Sequence, residues 1–435
     1  MTSDGRPKQI RSSGKFTLQD LDLVASTFSQ SDTIRGSPWD DFRDACLELP
    51  DWFDATLDPY SDAYRQQQHR IWSTITASSR GYSAERDELP DRVTDADAIR
   101  FPGFYSRRDP DAVQAAANHI IATGVILKHS ELRPGDWALE YGAGFAQTAV
   151  QLARLGVNVD TVDISADFCR HVGSQAGFFG IPLTPFEGRF GFDPRSGKQP
   201  YDLVWFYESF HHCEDFTQVV GQLAGLLSSR GRILMAGEPI VRAKNADIPY
   251  PWGIRLSAEN VAVVRNMRWF ELGFTEDFLV GLFLNAGFEA SRIDCPLTSY
   301  GEGYVFTRRG PCVPLSNPFM PTDMTAGWHL PEAGGRWSRE RSWLELDTTP
   351  SFDSLSVTIT NHHPVRHRVQ LAYGVQDLKL DLGAGQRRQV RFDAASKASR
   401  LVFSTSALVP ARDYGPSSLV DERALGIFVN EVAYI

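Results

Sequence analysis

Apolar residues recur in two different patterns along the chain. The pattern in its middle part is typical of strands that alternate with helices. Short apolar runs at 137–139 and 203–207 suit strands that are buried on both faces of a sheet, and residues 159–163 are predicted to form a strand between them. Between the first two runs, apolar residues recur at helical spacing over 149–155, until Gly156 ends the helix. This alternation predicts a mainly parallel α/β sheet within residues 101–312.

The same pattern of apolar positions predicts the remaining elements of this domain. We expect helices over 111–128, 166–177, 219–227 and 275–286, and strands over 182–190, 232–236, 288–293 and 304–308. The last two strands are expected to close the sheet as an antiparallel pair.

The first hundred residues are predicted to hold a polar tail and then a helical region. Asp58 as N-cap and Pro59 at the first helical position predict the start of a helix. One face of this helix is aromatic and aliphatic: Tyr60, Tyr64, Ile71 and Ile75. This face either packs onto the domain core or forms a lid that excludes water, and in the second case Tyr64 contacts the substrate.

The second pattern, in which apolar and polar residues alternate, begins after Gly310. Prolines at 311, 314, 318 and 321, with Asn317, predict a linker. Alternating runs then start near 355, 369, 378, 390, 401 and 425. Turn residues separate these runs at short intervals, which predicts an antiparallel β-sandwich over 313–435.

Composition narrows the possible partners and locations. The net charge of −10 provides no basic footprint for phosphate binding, so a nucleic-acid partner is not expected. The polar N-terminus and the lack of any run of about 18 apolar residues predict neither a cleaved signal nor a transmembrane segment. Five scattered cysteines without a C-x-x-C pair argue against a disulfide framework and a structural zinc site. We therefore expect a cytoplasmic protein.

A glycine turn follows the first predicted strand, in the run Glu140-Tyr141-Gly142-Ala143-Gly144. Gly142 and Gly144 let the backbone turn sharply and approach a ligand closely. Asp163 closes the next strand about 20 residues later, where a doubly wound fold places an acid against ribose hydroxyls. The ligand is therefore expected to contain a ribose. Gln147 stands where a dinucleotide fingerprint has its third glycine, which disfavours a nicotinamide or flavin cofactor without removing it.

The run from Glu140 to Ala146 resembles the E/D-x-G-x-G-x-G/A signature of class I S-adenosylmethionine-dependent methyltransferases. The resemblance implies S-adenosylmethionine as cofactor and a Rossmann-like sheet of seven strands in the order 3-2-1-4-5-7-6. It also implies that Glu140 lies near the amino group of the cofactor, Gly142 and Gly144 beneath its methionine part, and Asp163 at its ribose. Further predicted cofactor contacts are Ala143, Ile164, Glu187 and Tyr207.

The end of the fourth predicted strand carries the candidate catalytic residues. An alcohol that attacks a sulfonium methyl group must lose its proton, and a histidine or carboxylate usually takes it. Glu208, His211 and His212 follow the apolar run 203–207 and reach the edge where α/β sheets bind ligands. His211 is the first candidate for the base, although either histidine can instead cap the following helix. No metal is required by this reading.

The acceptor is expected beyond the fifth strand. Glu238 follows that strand and either binds the acceptor or pairs with a nearby arginine. Residues 245–274 form an insertion rich in aromatic residues and arginine, a type of segment that often builds a pocket. Its Trp252, Arg255 and Trp269 are predicted substrate contacts, because aromatic faces stack on sugars and arginine binds anions.

A second resemblance covers nearly the whole chain but rests on less specific motifs. These are Gly237–Pro239, Trp269–Phe274, Gly327–His329, Gly335–Ser338 and Asp421–Ile427. They are similar to segments of bacterial methyltransferases and glycosyltransferases of cell-surface polysaccharide synthesis, and imply a glycan or nucleotide-sugar acceptor. Methylation of a non-sugar metabolite, a nicotinamide oxidoreductase and an inert glycan-binding protein remain alternatives, and a homo-oligomer is possible.

Overall fold

The structure is a computed structural model that describes most of the chain. The described residues are 14–28, 39, 42–89, 100–108, 110–242, 246–308, 312–313, 315, 327–332, 335–346, 352–393, 398–411 and 423–435. The chain divides into two compact units, one of residues 1–282 with 291–307 and the other of residues 283–290 with 308–435. The prolines and Asn317 of the predicted linker lie outside the described residues, as do Asp421 and Glu422. The predicted division at 100/101 and 312/313 stays a prediction.

Helices and strands alternate over residues 15–308, as the apolar runs predict for the middle part of the chain. The helices are α1 (Leu21–Thr27), α2 (Asp62–Thr76), α3 (Ala84–Asp87), α4 (Ala112–Ser130), α5 (Gln147–Arg154), α6 (Ala166–Phe179), α7 (Phe216–Leu226), α8 (Ala258–Met267) and α9 (Glu276–Asn285). The strands are β1 (Lys15–Phe16), β2 (Cys46–Leu47), β3 (Trp137–Tyr141), β4 (Asn158–Asp163), β5 (Leu183–Glu187), β6 (Tyr201–Tyr207), β7 (Leu227–Ala236), β8 (Ile240–Val241), β9 (Trp252–Ile254), β10 (Leu272–Thr275), β11 (Phe288–Ile293) and β12 (Gly303–Arg308).

A seven-stranded mixed sheet organises these elements, and the prediction of an α/β fold with such a sheet is confirmed. Its hydrogen-bonded neighbours run β11-β12-β7-β6-β3-β4-β5. The strands β5, β4, β3, β6 and β7 are parallel, and β12 is antiparallel to β7. Leu139 in β3 and Val204 in β6 are fully buried partners in this sheet, which explains why the strands read as continuous apolar runs.

Helix α2 begins three residues later than the capping signals suggest. Ser61 is its N-cap, and the Ser61 hydroxyl accepts a hydrogen bond from the Tyr64 backbone N–H at 3.2 Å. The Asp58 carboxylate instead accepts the N–H of Tyr60 in the preceding turn, because its side chain bonds two residues ahead. Tyr60 is consequently outside the helix and 52% exposed, while Tyr64, Ile71 and Ile75 are buried, as the packing alternative expects.

The predicted insertion has secondary structure of its own. β8 pairs in parallel with β10, and β9 pairs antiparallel with it, so that these strands form a three-stranded sheet. Helix α8 lies between β9 and β10 along the chain. The packed residues of the insertion, such as Ile254, Leu272 and Phe274, are fully buried.

The described residues of the second unit are antiparallel strands, apart from its segment 283–290. These strands are β13 (Cys312–Val313), β14 (Trp328–Glu332), β15 (Gly335–Ser338), β16 (Arg341–Glu345), β17 (Ser354–Thr360), β18 (His367–Tyr373), β19 (Gln376–Leu382), β20 (Arg387–Asp393), β21 (Arg400–Thr405), β22 (Val409–Pro410), β23 (Ala424–Leu425) and β24 (Phe428–Tyr434). One sheet runs β14-β15-β24-β17-β20, with β13 also paired to β24, and another runs β16-β21-β18-β19. Alternate residues of both sheets, including Leu355 and Leu371, belong to one buried cluster.

No helix among the described residues combines the length and the apolar character that crossing a membrane requires.

Candidate active site

The glycine turn lies where the order of the parallel strands reverses. The chain moves from β3 outward to β4 and β5, and then returns to place β6 on the other side of β3. The edge at the carboxyl ends of β3 and β6 is therefore the expected ligand crevice of such a sheet. Gly142 follows β3 with a φ of 65°, and a Cβ on it would stand 2.6 Å from Ser209 Cβ after β6. Only glycine fits this close approach.

Asp163 ties the glycine turn to the next helix. Its Oδ2 accepts a hydrogen bond from the Gly144 N–H at 2.8 Å, and its Oδ1 accepts one from the Ser165 N–H at 2.8 Å. Burial raises the pKa of Asp163, and the hydrogen bonds from Ser165 and Gly144 oppose that rise. The carboxylate is thus fixed at the tip of β4, with lone pairs left for a ligand.

A cavity of about 270 Å³ opens at this edge and contains four of the predicted cofactor residues. Those four are Gly142, Gly144, Asp163 and Ile164. Side chains not predicted as cofactor contacts complete the wall: Ala84, Glu88, Val162, Phe168, Gly188, Arg189, Phe190, Glu208, Ser209, His212, Cys213, Glu214, Asp215, Val219 and Trp269. We call this space the cofactor cavity. Its wall carries several carboxylates, including Asp163 and Glu208, which suit a sulfonium cation better than a pyrophosphate.

Glu140 lies beneath this cavity and does not line it. Its Oε1 accepts a hydrogen bond from Trp205 Nε1–H at 2.9 Å, and its Oε2 is buried without a hydrogen-bond partner. Burial raises the pKa of Glu140 to about 8, although the Trp205 hydrogen bond opposes the rise. At neutral pH its side chain is therefore mainly protonated.

The other predicted cofactor contacts also lie outside the cavity wall. Tyr207 places its hydroxyl 2.7 Å from His119 Nδ1 on α4. Ala143 packs against the apolar core of the sheet. Glu187 is exposed at the end of β5, beside Asp163 in the strand register.

A second cavity of about 510 Å³ adjoins the first. Glu208 and Trp269 line both cavities, and the predicted residues His211, Glu238 and Arg255 line this one. The remaining wall is rich in charged and polar side chains: Arg242, Asp247, Glu259, Asn260, Glu271, Arg292, Ser299, Tyr300, Glu302 and Tyr304. We call it the acceptor cavity. A polar space of this size beside a cofactor site suits a hydrophilic substrate.

Glu238 holds His211 in one orientation. Glu238 Oε1 accepts the backbone N–H groups of Ser209 and Phe210, both at 2.9 Å, and Oε2 accepts that of His211 at 3.1 Å. His211 Nδ1 lies 2.8 Å from the same Oε2, an arrangement that in a neutral imidazole places the hydrogen on Nδ1 and the lone pair on Nε2. Burial alone would raise the pKa of Glu238, but its bonds with His211, Ser209 and Phe210 lower it, so the side chain is a carboxylate.

His212 faces the cofactor cavity beside Trp269, whose ring centroid is 5.6 Å away and perpendicular. His212 Nδ1 lies 3.1 Å from Glu88 Oε2, although the ring is not aligned for a hydrogen bond. Burial would lower the pKa of His212, but the carboxylates of Glu88, Glu271 and Glu238 raise it to about 9. A protonated imidazole cannot accept a proton from a substrate, so His212 is the weakest of the three candidate bases.

Glu208 lies at the junction of the two cavities. It follows β6 with a φ of 48°, a left-handed conformation that is uncommon for a residue with a side chain. Burial raises its pKa to about 8, and the carboxylates of Glu238 and Glu271 add to this rise. At neutral pH the side chain is therefore mainly protonated, as that of Glu140 is, and its ionised fraction, which binds a proton strongly, can act as a general base.

Tyr64 and Trp252 lie elsewhere, in the packing of the insertion. Tyr64 is fully buried, and its hydroxyl donates a hydrogen bond to the Trp252 carbonyl at 2.7 Å. Trp252 Nε1–H donates to the Pro59 carbonyl at 2.8 Å, and its ring packs against Phe216 at 4.9 Å. Neither side chain lines the cofactor cavity or the acceptor cavity, because both hold α2 against β9.

Comparison with known proteins agrees with this geometry. Residues 139–235 match a family model described as a methyltransferase domain. No curated protein matches the chain.

Three of the solved structures that are similar to this chain are methyltransferases of different kinds. The 1,6-didemethyltoxoflavin-N1-methyltransferase of Burkholderia thailandensis, bound to 1,6-didemethyltoxoflavin and S-adenosylhomocysteine, is 16% identical over 61% of this chain and 95% of its own, with a TM-score of 0.34. Phosphoethanolamine N-methyltransferase 2 of Haemonchus contortus, in complex with S-adenosyl-L-methionine, is 17% identical over 46% and 43%, with a TM-score of 0.34. A SAM-dependent methyltransferase from Aquifex aeolicus is 11% identical over 50% and 98%, with a TM-score of 0.32.

Such low identities and TM-scores carry no argument about the substrate. The family match, in contrast, covers the strands and the turn that build the cofactor cavity, from Leu139 in β3 to Met235 in β7. Residues 139–235 therefore carry a methyltransferase domain, and the protein is an S-adenosylmethionine-dependent methyltransferase.

Proposed function

We propose that this enzyme methylates a hydroxyl group of a sugar, within a glycan or a nucleotide-sugar precursor of a polysaccharide. The observation that carries the proposal is the large polar acceptor cavity, which meets the cofactor cavity at Glu208 and Trp269. Sugars present many hydroxyl groups, and carboxylates, arginines and amides bind these in pairs. The net charge of −10 argues against a nucleic-acid acceptor.

Residues of the glycine turn and of β4 would hold the cofactor. S-adenosylmethionine supplies a methyl group on a positively charged sulfur. Asp163 has lone pairs available for ribose hydroxyls, and Gly144 has open space where a Cβ would stand, so a ligand can lie against the turn. We assign Gly142 and Ile164 to the same wall because both line the cavity. The roles of Glu140, Ala143, Glu187 and Tyr207 have less support, because they lie outside it.

The acceptor would be held by the insertion and by the ends of β6 and β7. Trp269 offers an aromatic face on which a sugar ring can stack. Arg255 Nε lies 3.6 Å from Asp247 Oδ2, so the two form a charged pair on the cavity wall that can bind neighbouring hydroxyls. Glu238 is committed to His211 and three backbone groups, which favours a positioning role for it.

We assign proton removal to Glu208 rather than to the histidines. Glu208 lines both cavities, whereas His211 lines the acceptor cavity and His212 the cofactor cavity. The base must reach the hydroxyl that attacks the methyl group, and that hydroxyl lies where the cavities meet. His211, with its free Nε2, is the second candidate.

A non-sugar metabolite is the alternative acceptor. Arg242 and Arg255 both line the acceptor cavity and would suit a carboxylate or phosphate on such a molecule. The aromatic and polar wall serves either class.

We also propose a β-sandwich for the second unit, the methyltransferase strand order for the mixed sheet, and a cytoplasmic location. The two sheets of the second unit share one buried cluster, which supports a β-sandwich. The pairing of β11, β12 and β7 supports the methyltransferase strand order 3-2-1-4-5-7-6. The scattered cysteines favour a cytoplasmic location.

Isotope-labelled S-adenosylmethionine tests the acceptor class. The full-length enzyme is incubated with nucleotide sugars, oligosaccharides and, as the competing class, phenolic and carboxylic metabolites. We expect mass spectrometry to find the labelled methyl group on a sugar hydroxyl. Transfer to the metabolites with none to any sugar would overturn the proposed acceptor.

A further inference from the structure

We propose that His211, His212 and Glu271 bind a divalent transition-metal ion where the cofactor and acceptor cavities meet. One donor atom from each residue lies within 4.8 Å of the others. His211 Nε2 is 3.6 Å from Glu271 Oε2. The binding site stands on these contacts alone, whereas the part that the ion would take in the reaction rests on the proposed function.

The three donors converge because two chain segments meet at this point. His211 and His212 are consecutive in a single helical turn, Phe210–His212, directly after β6. Their ring centroids are 4.3 Å apart, with 40° between the ring planes, so the two imidazoles lie next to each other. Glu271 comes from the insertion, one residue before β10, and is buried.

His211 is held as metal-binding histidines usually are, by a carboxylate on its other ring nitrogen. Glu238 Oε2 lies 2.8 Å from His211 Nδ1, which leaves Nε2 as the free donor atom. Three backbone N–H groups fix Glu238 in turn. The imidazole therefore has one tautomer and little freedom to rotate.

His212 also has a carboxylate beside its Nδ1. Glu88 Oε2 lies 3.1 Å away. Glu88 is itself fixed, because its Oε1 accepts the Tyr82 hydroxyl at 2.8 Å and the Phe270 N–H at 2.7 Å. Both histidines thus have a positioned carboxylate behind them, which a mere pair of helix-capping histidines does not require.

The cluster is also rich in carboxyl groups. Glu88, Glu238 and Glu271 surround the two imidazoles, and their side chains are 10%, 1% and 8% exposed. Buried carboxylates are stable when a cation or several hydrogen bonds offset their charge. A divalent cation between the imidazoles and Glu271 would provide that offset.

The donor set indicates which ions fit. Two imidazole nitrogens and one carboxylate are typical of Zn²⁺, Fe²⁺, Co²⁺ or Ni²⁺, whereas Mg²⁺ and Ca²⁺ prefer oxygen ligands. Bonds of about 2.1 Å in a tetrahedral site place donor atoms about 3.4 Å apart. The pair His211–Glu271, at 3.6 Å, is already close to this separation. The ion would displace the proton that His212 carries, and small side-chain movements would bring its ring nitrogen into the site.

An ion at this position would bind the acceptor hydroxyl through an open coordination position and make its proton easier to remove. Glu208 takes that proton. The oxygen lone pair then forms the bond to the methyl carbon, and the carbon–sulfur bond pair returns to sulfur to give S-adenosylhomocysteine. The oxidation state of the ion does not change. In this arrangement the two histidines are ligands and Glu208 is the base.

Cobalt provides a probe with a readout independent of turnover. The full-length protein is treated with a chelator, dialysed and titrated with Co²⁺ while its visible absorption is recorded. We expect one Co²⁺ per chain. His211→Gln and Glu271→Gln should each weaken Co²⁺ binding by at least about tenfold. His129→Gln, a histidine on α4 away from both cavities, should bind as the wild type does.

S-adenosylhomocysteine binding controls for folding, since neither His211 nor Glu271 lines the cofactor cavity. If the wild-type protein binds no Co²⁺, or if both folded variants bind it as tightly as the wild type, the metal site is overturned. If Co²⁺ binds as expected but no sugar is methylated, the metal site stands and the proposed acceptor fails. If a sugar is methylated by protein that binds no Co²⁺, the reverse holds.

Discussion

Glu238 and His211 form a buried pair. The Glu238 carboxylate orients the His211 imidazole and also accepts hydrogen bonds from backbone N–H groups of the loop that carries His211. The two residues are 27 positions apart, and Nδ1 and Oε2 are separated by 2.8 Å. Because Glu238 also accepts the N–H groups of residues 209 to 211, it couples the end of β7 to the end of β6. The shape of the candidate active site therefore depends on a residue that need not touch the substrate.

Glu238→Gln tests this coupling through stability. Each carboxylate oxygen of Glu238 faces two N–H donors, and in the glutamine an NH2 group replaces one of these oxygens. Two buried hydrogen bonds are then lost, because the NH2 group cannot accept them. We expect the free energy of unfolding to fall by about 2–4 kcal/mol. Chemical denaturation measures the change. Glu259→Gln, which removes an exposed carboxylate from the same cavity, is the matched control. Equal stability of the two variants would show that Glu238 does not hold the loop.

Glu208→Gln tests the assignment of the base. The amide keeps the size of the side chain but cannot accept the proton, so kcat should fall by about 10²–10⁴. The affinity for S-adenosylhomocysteine should stay close to that of the wild type, because the uncharged product does not depend on the carboxylate for charge balance. Glu131→Gln, at an exposed position after α4, is the control. Wild-type turnover in Glu208→Gln would move the base to another side chain, with His211 first.

Glu140 should make the stability of the cofactor-free protein depend on pH. Its pKa is about 8 in the folded protein and 4.5 as the ordinary value, so the folded state keeps the proton over a range in which the unfolded state has released it. Stability is therefore expected to fall as pH rises from about 4.5 to 8, by roughly 1.4 kcal/mol per pH unit at most. In Glu140→Gln this contribution to the fall should disappear, since the amide does not ionise and still accepts the Trp205 N–H, while Glu208, whose pKa is also raised, keeps its own contribution.

Unfolding curves of both proteins at several pH values between 5 and 9 provide the measurement. The variant should be the more stable protein at pH 8 and should lose this advantage toward pH 5. An identical pH dependence in the two proteins would contradict the burial of an unpaired Glu140 oxygen.

The sequence predicts those parts of the fold that depend on local pattern. Strands β3 and β6 are mainly apolar runs because both faces of the sheet are covered, and Gly142 is recognisable because no other residue fits beside Ser209. The alternation of Leu355, Val357 and Ile359 likewise follows from a strand with one buried face.

Contacts between distant segments are less accessible to sequence reasoning. Tyr64 and Trp252 are residue types that often line sugar-binding pockets, but here both are buried and join α2 to β9. Aromatic residues suit either role, so the sequence does not distinguish the two. Glu88 and Glu271 reach the histidines from elements that precede and follow β6 by many residues. No spacing rule connects such positions, so these neighbours of the site appear only in three dimensions.

Calorimetric titration of Asp163→Asn with S-adenosylhomocysteine tests the central claim most directly, namely that the cofactor lies against the glycine turn and the tip of β4. The substitution keeps the shape of the side chain but removes the charge and turns an NH2 group toward Gly144 N–H or Ser165 N–H. We predict a loss of affinity of at least about tenfold, equivalent to 1.4 kcal/mol. Asp167→Asn, an acid on the first turn of α6 that does not line the cavity, should bind like the wild type. Wild-type affinity in a folded Asp163→Asn protein would contradict the account and place the cofactor elsewhere.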